Sequence, residues 1–209
     1  MKGLVVYAAD VGSVSKKNFG WARRGPTGRL TDGTDISKMA KSICGDLKKG
    51  HRIALGFECP LFVPVPKDPA DLLKARSGEG NRSWSAPAGA GSLVAGMAES
   101  TWLLREIAVA RPVTTVTVIP EVLRNGGSDV LLWEAFISGK RCSRAIGKNN
   151  HVRDARTAVK RFWNSFRRGE VISKVSCENP FSLIAAVADF AGLKLLDKKP
   201  LSEACFVVS

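Results

Sequence analysis

From Leu4 to Ala9 the chain is apolar without interruption, and it then meets a carboxylate, Asp10, followed by Val11, Gly12 and Ser13. An apolar run of this length with β-branched members is the pattern of a strand buried on both faces. It delivers Asp10 to the edge of a sheet. A lone acid before a glycine is there either a turn former or the first ligand of a metal site. Eight residues past Gly12, Gly20-Trp21-Ala22 reads as the return strand of a hairpin, and the polar stretch to Leu30 as a turn into a third strand. Thr34 is placed to cap a helix whose Ile36, Met39, Ala40, Ile43 and Leu47 form one stripe, with Gly50 as its terminator. Arg52 to Phe57 is a second buried strand. It stops at Glu58, and Pro60 ends any ladder just beyond.

Residues 60–92 have no clear period. Four prolines are followed by Arg76, Glu79, Arg82 and Trp84, and a long irregular segment inside a domain is commonly a functional loop. Its arginines and tryptophan suit phosphate contact and base stacking; a poorly ordered insertion with Trp84 tucked into the core is the plain alternative. Leu93 to Ala110 reads as an apolar covering helix, Val113 to Ile119 as a strand, and Val130 to Trp133 as a strand followed by Glu134. The segment Lys140 to Lys148 is basic, with Lys140, Arg141, Arg144 and Lys148 available to a polyanion. A helix follows from His151, with Val152, Ala155, Val159, Phe162 and Phe166 as its apolar stripe and Arg153, Arg156, Lys160 and Arg167 as its cationic side. His151 and Asp154 are three apart and project from one face. Beyond them, Val171–Val175 reads as a strand, Phe181–Leu193 as a helix opened by Asn179-Pro180 with Asp189 its lone charge, and Cys205–Val208 as an edge strand.

Length and composition narrow this picture. The 209 residues suit one well-buried core, residues 1–209 forming a single domain in which 166–209 is a C-terminal extension packed on the rest. Hydrophobic residues at 44% and charged ones at 24% are ordinary for a globular domain. The sequence carries no bilayer-length apolar run and no signal-peptide pattern. Five scattered cysteines without a CxxC pair, with only two histidines, argue against a structural zinc site and for reduced thiols in a cytoplasmic protein. A net charge of +13 changes the picture most, because it points to a polyanionic partner, most simply nucleic acid.

Three strands, then helix, strand, helix, strand and helix, with acids at the strand ends, is a recognisable order. Asp10-Val11-Gly12-Ser13 with Gly20-Trp21-Ala22 resembles the first hairpin of the RNase H-like superfamily, and most closely its Holliday-junction resolvase (RuvC-like) branch. Glu58 after Ala54-Leu55-Gly56-Phe57 stands where that family carries a glutamate, and His151-Val152-Arg153-Asp154-Ala155 is similar to its late helix. The chain is also similar to uncharacterised bacterial families of this fold, in which a glutamate like Glu134 recurs. The resemblance implies an α/β fold: an RNase H-like mixed sheet with its first three strands antiparallel and the remainder parallel, flanked by helices, with a C-terminal strand-helix-strand extension.

It also implies a nuclease using two Mg²⁺ or Mn²⁺ ions about 4 Å apart. Hard cations prefer carboxylate oxygens, so Asp10, Glu58 and Asp154 are the implied metal ligands. His151 is the added catalytic residue, able to ligate, orient water or move a proton. The partner is DNA or RNA, held by the basic residues, and homodimerisation stays open. So do two points of the site: Asp189 or Glu134 could stand in place of Asp154 or beside it. Two other functions remain: a non-catalytic nucleic-acid-binding or scaffold protein, and a nucleotide-binding relative of the actin-like ATPases, which the lack of further glycine-rich phosphate loops weakens.

Overall fold

The computed structural model describes residues 3–137, 150–170 and 172–209. Its core is a mixed eight-stranded sheet. The first three strands, β1 (Leu4–Asp10), β2 (Gly20–Arg24) and β3 (Leu30–Gly33), form an antiparallel meander. Helix α1 (Ile36–Lys48) then crosses over to β4 (Arg52–Phe57), which lies parallel to β1. The cap of α1 is one residue later than Thr34: Asp35 Oδ1 accepts from the N–H groups of Ser37 and Lys38, the ordinary use of a carboxylate at a helix start.

The chain next makes β5 (Phe62–Pro64), a 3₁₀ turn at Pro69–Asp71 and the long helix α2 (Pro87–Ala110). The helix starts six residues before Leu93, with Pro87 at its first position, where a missing N–H costs nothing. Strand β6 (Thr115–Thr117), helix α3 (Pro120–Arg124), strand β7 (Val130–Ala135) and helix α4 (Asn150–Arg168) follow. The C-terminal part gives β8 (Pro180–Ser182), α5 (Leu183–Phe190), β9 (Lys194–Leu195) and β10 (Phe206–Val208).

The strand order is β3-β2-β1-β4-β7-β6-β9, parallel from β1 onward. Strand β7 is flanked on its far side by β6 along its first half and by β10 along its second. Residues 166–209 are therefore woven into the sheet through β9 and β10 rather than laid against a finished domain. Residues 172–175 form no strand. Phe181 and Ser182 do not open a helix; they pair with Phe62 and Val63 in a two-stranded ribbon, β5 with β8. Asn179 at φ 45 makes the bend before it, a conformation asparagine tolerates better than most residues.

Side-chain parity separates two cores. Val5, Tyr7 and Ala9 of β1 face α1, α2 and α5, whereas Leu4, Val6 and Ala8 face α4. On the α4 side, Trp133 stacks on Phe162 at 4.6 Å and Phe162 on Phe166 at 5.3 Å, and Gly56 leaves the space the Trp133 indole fills. Burying these large rings is the main reason α4 sits where it does. No described helix is long and apolar enough to cross a membrane.

Candidate active site at the strand ends

Strands β1 and β4 are parallel neighbours, so Asp10 and Glu58 emerge at the same edge, the carboxyl ends of the strands where open α/β sheets bind their ligands. Glu58 follows β4 directly, and its N–H donates to Ala9 O at 2.7 Å, carrying the ladder one residue further. By parity Asp10 points to the α4 side. There Gly20, its register partner on β2, has no Cβ. A Cβ at that position would lie 2.5 Å from the His151 carbonyl carbon and from Val152 N. The glycine thus lets the first turn of α4 lie directly on β2. His151 Nδ1 consequently reaches Asp10 Oδ2 at 2.6 Å.

The three acids named from sequence act on one another. Burial, then Asp154 and Glu99, push the Asp10 carboxyl up to about 8. Burial, then Asp10 and Asp154, push Glu58 up to about 9, against the opposing charges of Arg82 and Arg161. Asp154 also has Arg153 at 3.8 Å.

A fourth acid belongs with them. Glu99 of α2 accepts from Gly12 N–H at 3.2 Å, and burial raises it to about 7 against that hydrogen bond. Gly96, three residues earlier, allows the approach, since a Cβ there would stand 2.2 Å from Cys59 Sγ. The sequence held the signal: Glu99 is the one acid between Pro87 and Arg105, a turn after a glycine on the same helical face.

One carboxylate oxygen of Glu58 and one of Glu99 are buried without a hydrogen-bond partner. Such atoms are costly unless something satisfies them. Their all-oxygen chemistry fits a hard divalent cation. Among the described residues, however, no group of three or more His, Cys, Asp or Glu is arranged to hold a metal ion. The His151 contact uses Oδ2 of Asp10, so a cation held through Oδ1 leaves that contact in place.

The other residues singled out from sequence divide. Arg82 is exposed beside the acids; it donates to Ile137 O at 2.8 Å and lies 4.7 Å over the Phe136 ring. Trp84 is half-buried, its indole N–H given to Lys74 O at 3.0 Å. Arg76 is not available to a phosphate. Its side chain is fully buried and donates to Glu79 Oε1, to both oxygens of Glu134 at 2.9 and 2.6 Å, and to Phe62 O.

The same pairing excludes Glu134 from the acid cluster. Parity turns it to the face opposite Asp10, where it also accepts from Leu61 N–H at 2.9 Å. Asp189 is exposed on α5, on the side of the sheet away from α4. Lys140, Arg141, Arg144 and Lys148 lie outside the described residues.

Between the acids and residues 79–92 lies a cavity of about 290 Å³. Asp10 and Glu58 border it on one side, and Asn81, Arg82, Trp84 and Phe136 on others. No protein-family model, curated protein or solved structure matches this chain.

Proposed function

We propose that the protein is a divalent-cation-dependent nuclease that hydrolyses phosphodiester bonds in DNA or RNA. The observation that carries this reading is the mutual influence of Asp10, Glu58 and Asp154, three acids from separate elements gathered at one edge of a parallel sheet. Acids kept together in this way cost stability, which makes them candidates for a functional site. The strand order, with an antiparallel meander followed by parallel strands, agrees with the RNase H-like resemblance.

Hydrolysis forms a bond from water oxygen to phosphorus and breaks the bond to the leaving oxygen. The water gives up a proton and the leaving oxygen takes one. Asp10, Glu58 and Asp154, with Glu99 behind them, are the oxygens that would hold Mg²⁺ or Mn²⁺. A bound cation would supply Lewis-acid activation of the water and of the leaving oxygen. Cation binding requires ionised carboxylates, so the protons held by the raised acids must leave first. His151 offers Nδ1 within hydrogen-bond reach of Asp10, where an imidazole can take or give a proton. Arg82 and Arg161 place positive charge next to the acids, which otherwise repel a phosphodiester. The outer side of α4, with Arg153, Lys160 and Arg167, extends that charge along the helix. Four reduced cysteines among the described residues suit a cytoplasmic setting.

The competing reading is a nucleic-acid-binding or scaffold protein without chemistry, favoured by the Asp10–His151 contact that now occupies a ligand oxygen. Incubation of the purified protein with Mn²⁺ and labelled single-stranded, duplex, hybrid and branched substrates separates the two. The nuclease reading expects cleavage of at least one substrate, lost in Asp10→Asn while the fold persists. Binding without cleavage under every condition would establish the competitor.

A further inference from the structure

We propose that the cavity beside the acids is a subsite for one unpaired nucleotide of a nucleic-acid strand, so that the substrate is single-stranded or locally extruded rather than continuous duplex. This rests on the nuclease reading, to which it adds the substrate class. The volume of about 290 Å³ stands at the lower end of small-molecule pockets, which begin near about 300 Å³. It admits one nucleotide-sized unit and excludes the stacked pair of a duplex.

The walls suit a base. Trp84, Asn81, Arg82 and Phe136 line the cavity, with the Arg82 guanidinium over the Phe136 ring. Trp84 and the Arg82–Phe136 pair thus supply flat surfaces, and Asn81 an amide for a base edge. Stacking on such surfaces is sequence-tolerant because every base has a π-face. Cations at Arg82 and Arg161 stand near Glu58 for the adjoining phosphate. A base lodged between the walls therefore brings its own phosphodiester to Asp10 and Glu58. A paired base cannot enter without leaving its stack.

The wall is built in advance. The backbone N–H of Trp84 donates to Glu79 Oε1 at 3.1 Å, and Glu79 is held by Arg76 in the buried cluster with Glu134. With the backbone held by Glu79 and the indole N–H given to Lys74 O, the residue is positioned before any ligand arrives. Little ordering entropy is then lost on binding.

The test measures binding by fluorescence anisotropy in Ca²⁺ and, in parallel, cleavage in Mn²⁺. The probes are a labelled thymidine oligonucleotide, the same strand with its central bases removed to leave abasic sites, and a duplex of equal length. The intact strand is expected to bind about tenfold more tightly than either of the others, the size of one or two stacking contacts. Trp84→Ala and the pocket-filling Ala88→Phe, on an exposed position at the start of α2, are each expected to bring the intact strand to the abasic level. Both should retain the melting profile of a folded chain.

Equal affinity for intact and abasic strands would overturn the subsite. So would Mn²⁺-dependent cleavage and strand binding both indifferent to Ala88→Phe. A free thymidine monophosphate that competes as well as the strand would overturn the assignment to a polymer. Base-dependent, Trp84-dependent binding with no cleavage of any substrate would overturn the nuclease reading and leave the subsite standing.

Discussion

Replacing Arg76 by methionine removes the cation that pairs with two buried carboxylates, Glu79 and Glu134. The Arg76 and Glu79 side chains are fully buried and that of Glu134 is 1% exposed. Methionine keeps much of the volume, so the loss is electrostatic rather than a cavity. Breaking a buried pair by deleting one partner costs about 3–5 kcal/mol, because the other charge is left unpaired. Here Glu79 and Glu134 are both left, so the upper part of that range applies. In a chain of this size about 1 kcal/mol moves Tm by about 2–4 °C, giving a fall of about 8–20 °C by differential scanning calorimetry.

The loss also has a pH signature. Burial already raises Glu134, and Arg76 opposes that rise. Without Arg76 the native Glu134 carboxyl holds its proton to higher pH than the unfolded one does. The deficit of the variant must therefore grow as pH increases above the unfolded carboxylate range, and shrink towards acid. Arg76→Lys keeps the charge but not the two-pronged geometry, and it should fall between. A fall of less than about 2 °C for Arg76→Met at pH 8 would refute the buried cluster and the pre-built wall that depends on it.

Gly20→Ala forces a methyl group into the space where the His151–Val152 backbone lies. The first turn of α4 must retreat by about 1 Å to restore ordinary contact, an overpacking strain of about 1–3 kcal/mol seen as a lower Tm. If the protein is a nuclease, cleavage falls by about 100-fold, since a displacement of that size has such an effect on positioned groups; unchanged Tm and rate would refute the close approach. Asp10 and Glu58 titrate higher in the fold than unfolded, so the stability they contribute is complete below the unfolded carboxylate range. It is lost as pH rises towards 8 to 9. In cation-free buffer Glu58→Gln should accordingly gain on the native sequence by up to about 1.4 kcal/mol per pH unit across that window, and a flat difference in Tm from pH 5 to 9 would contradict it.

Much of this site was legible because it depends on local rules. The apolar run to Ala9 and the stop at Asp10 follow from period-two burial. Glu58 after Phe57 follows the same logic, and the three-residue step from His151 to Asp154 is helical geometry. What escaped depends on contacts far apart in sequence. Arg76 reads as a solvent-facing loop cation until Glu134, 58 residues on, is brought beneath it. Phe181 and Ser182 look helical until β5 offers them an edge. Glu99 sits in a helix that reads as mere cover, and only the packing of Gly96 on Cys59 shows that its next turn reaches Gly12. The parity that turns Glu134 away from Asp10 was available in principle, once the register of β7 with β4 was known.

The most direct measurement is anomalous scattering from Mn²⁺ in crystals of the full chain grown near pH 8. The predicted result is manganese density bounded by the carboxylates of Asp10, Glu58 and Asp154. Saturating Mn²⁺ that leaves no density among the three acids would contradict a cation-dependent centre at these strand ends.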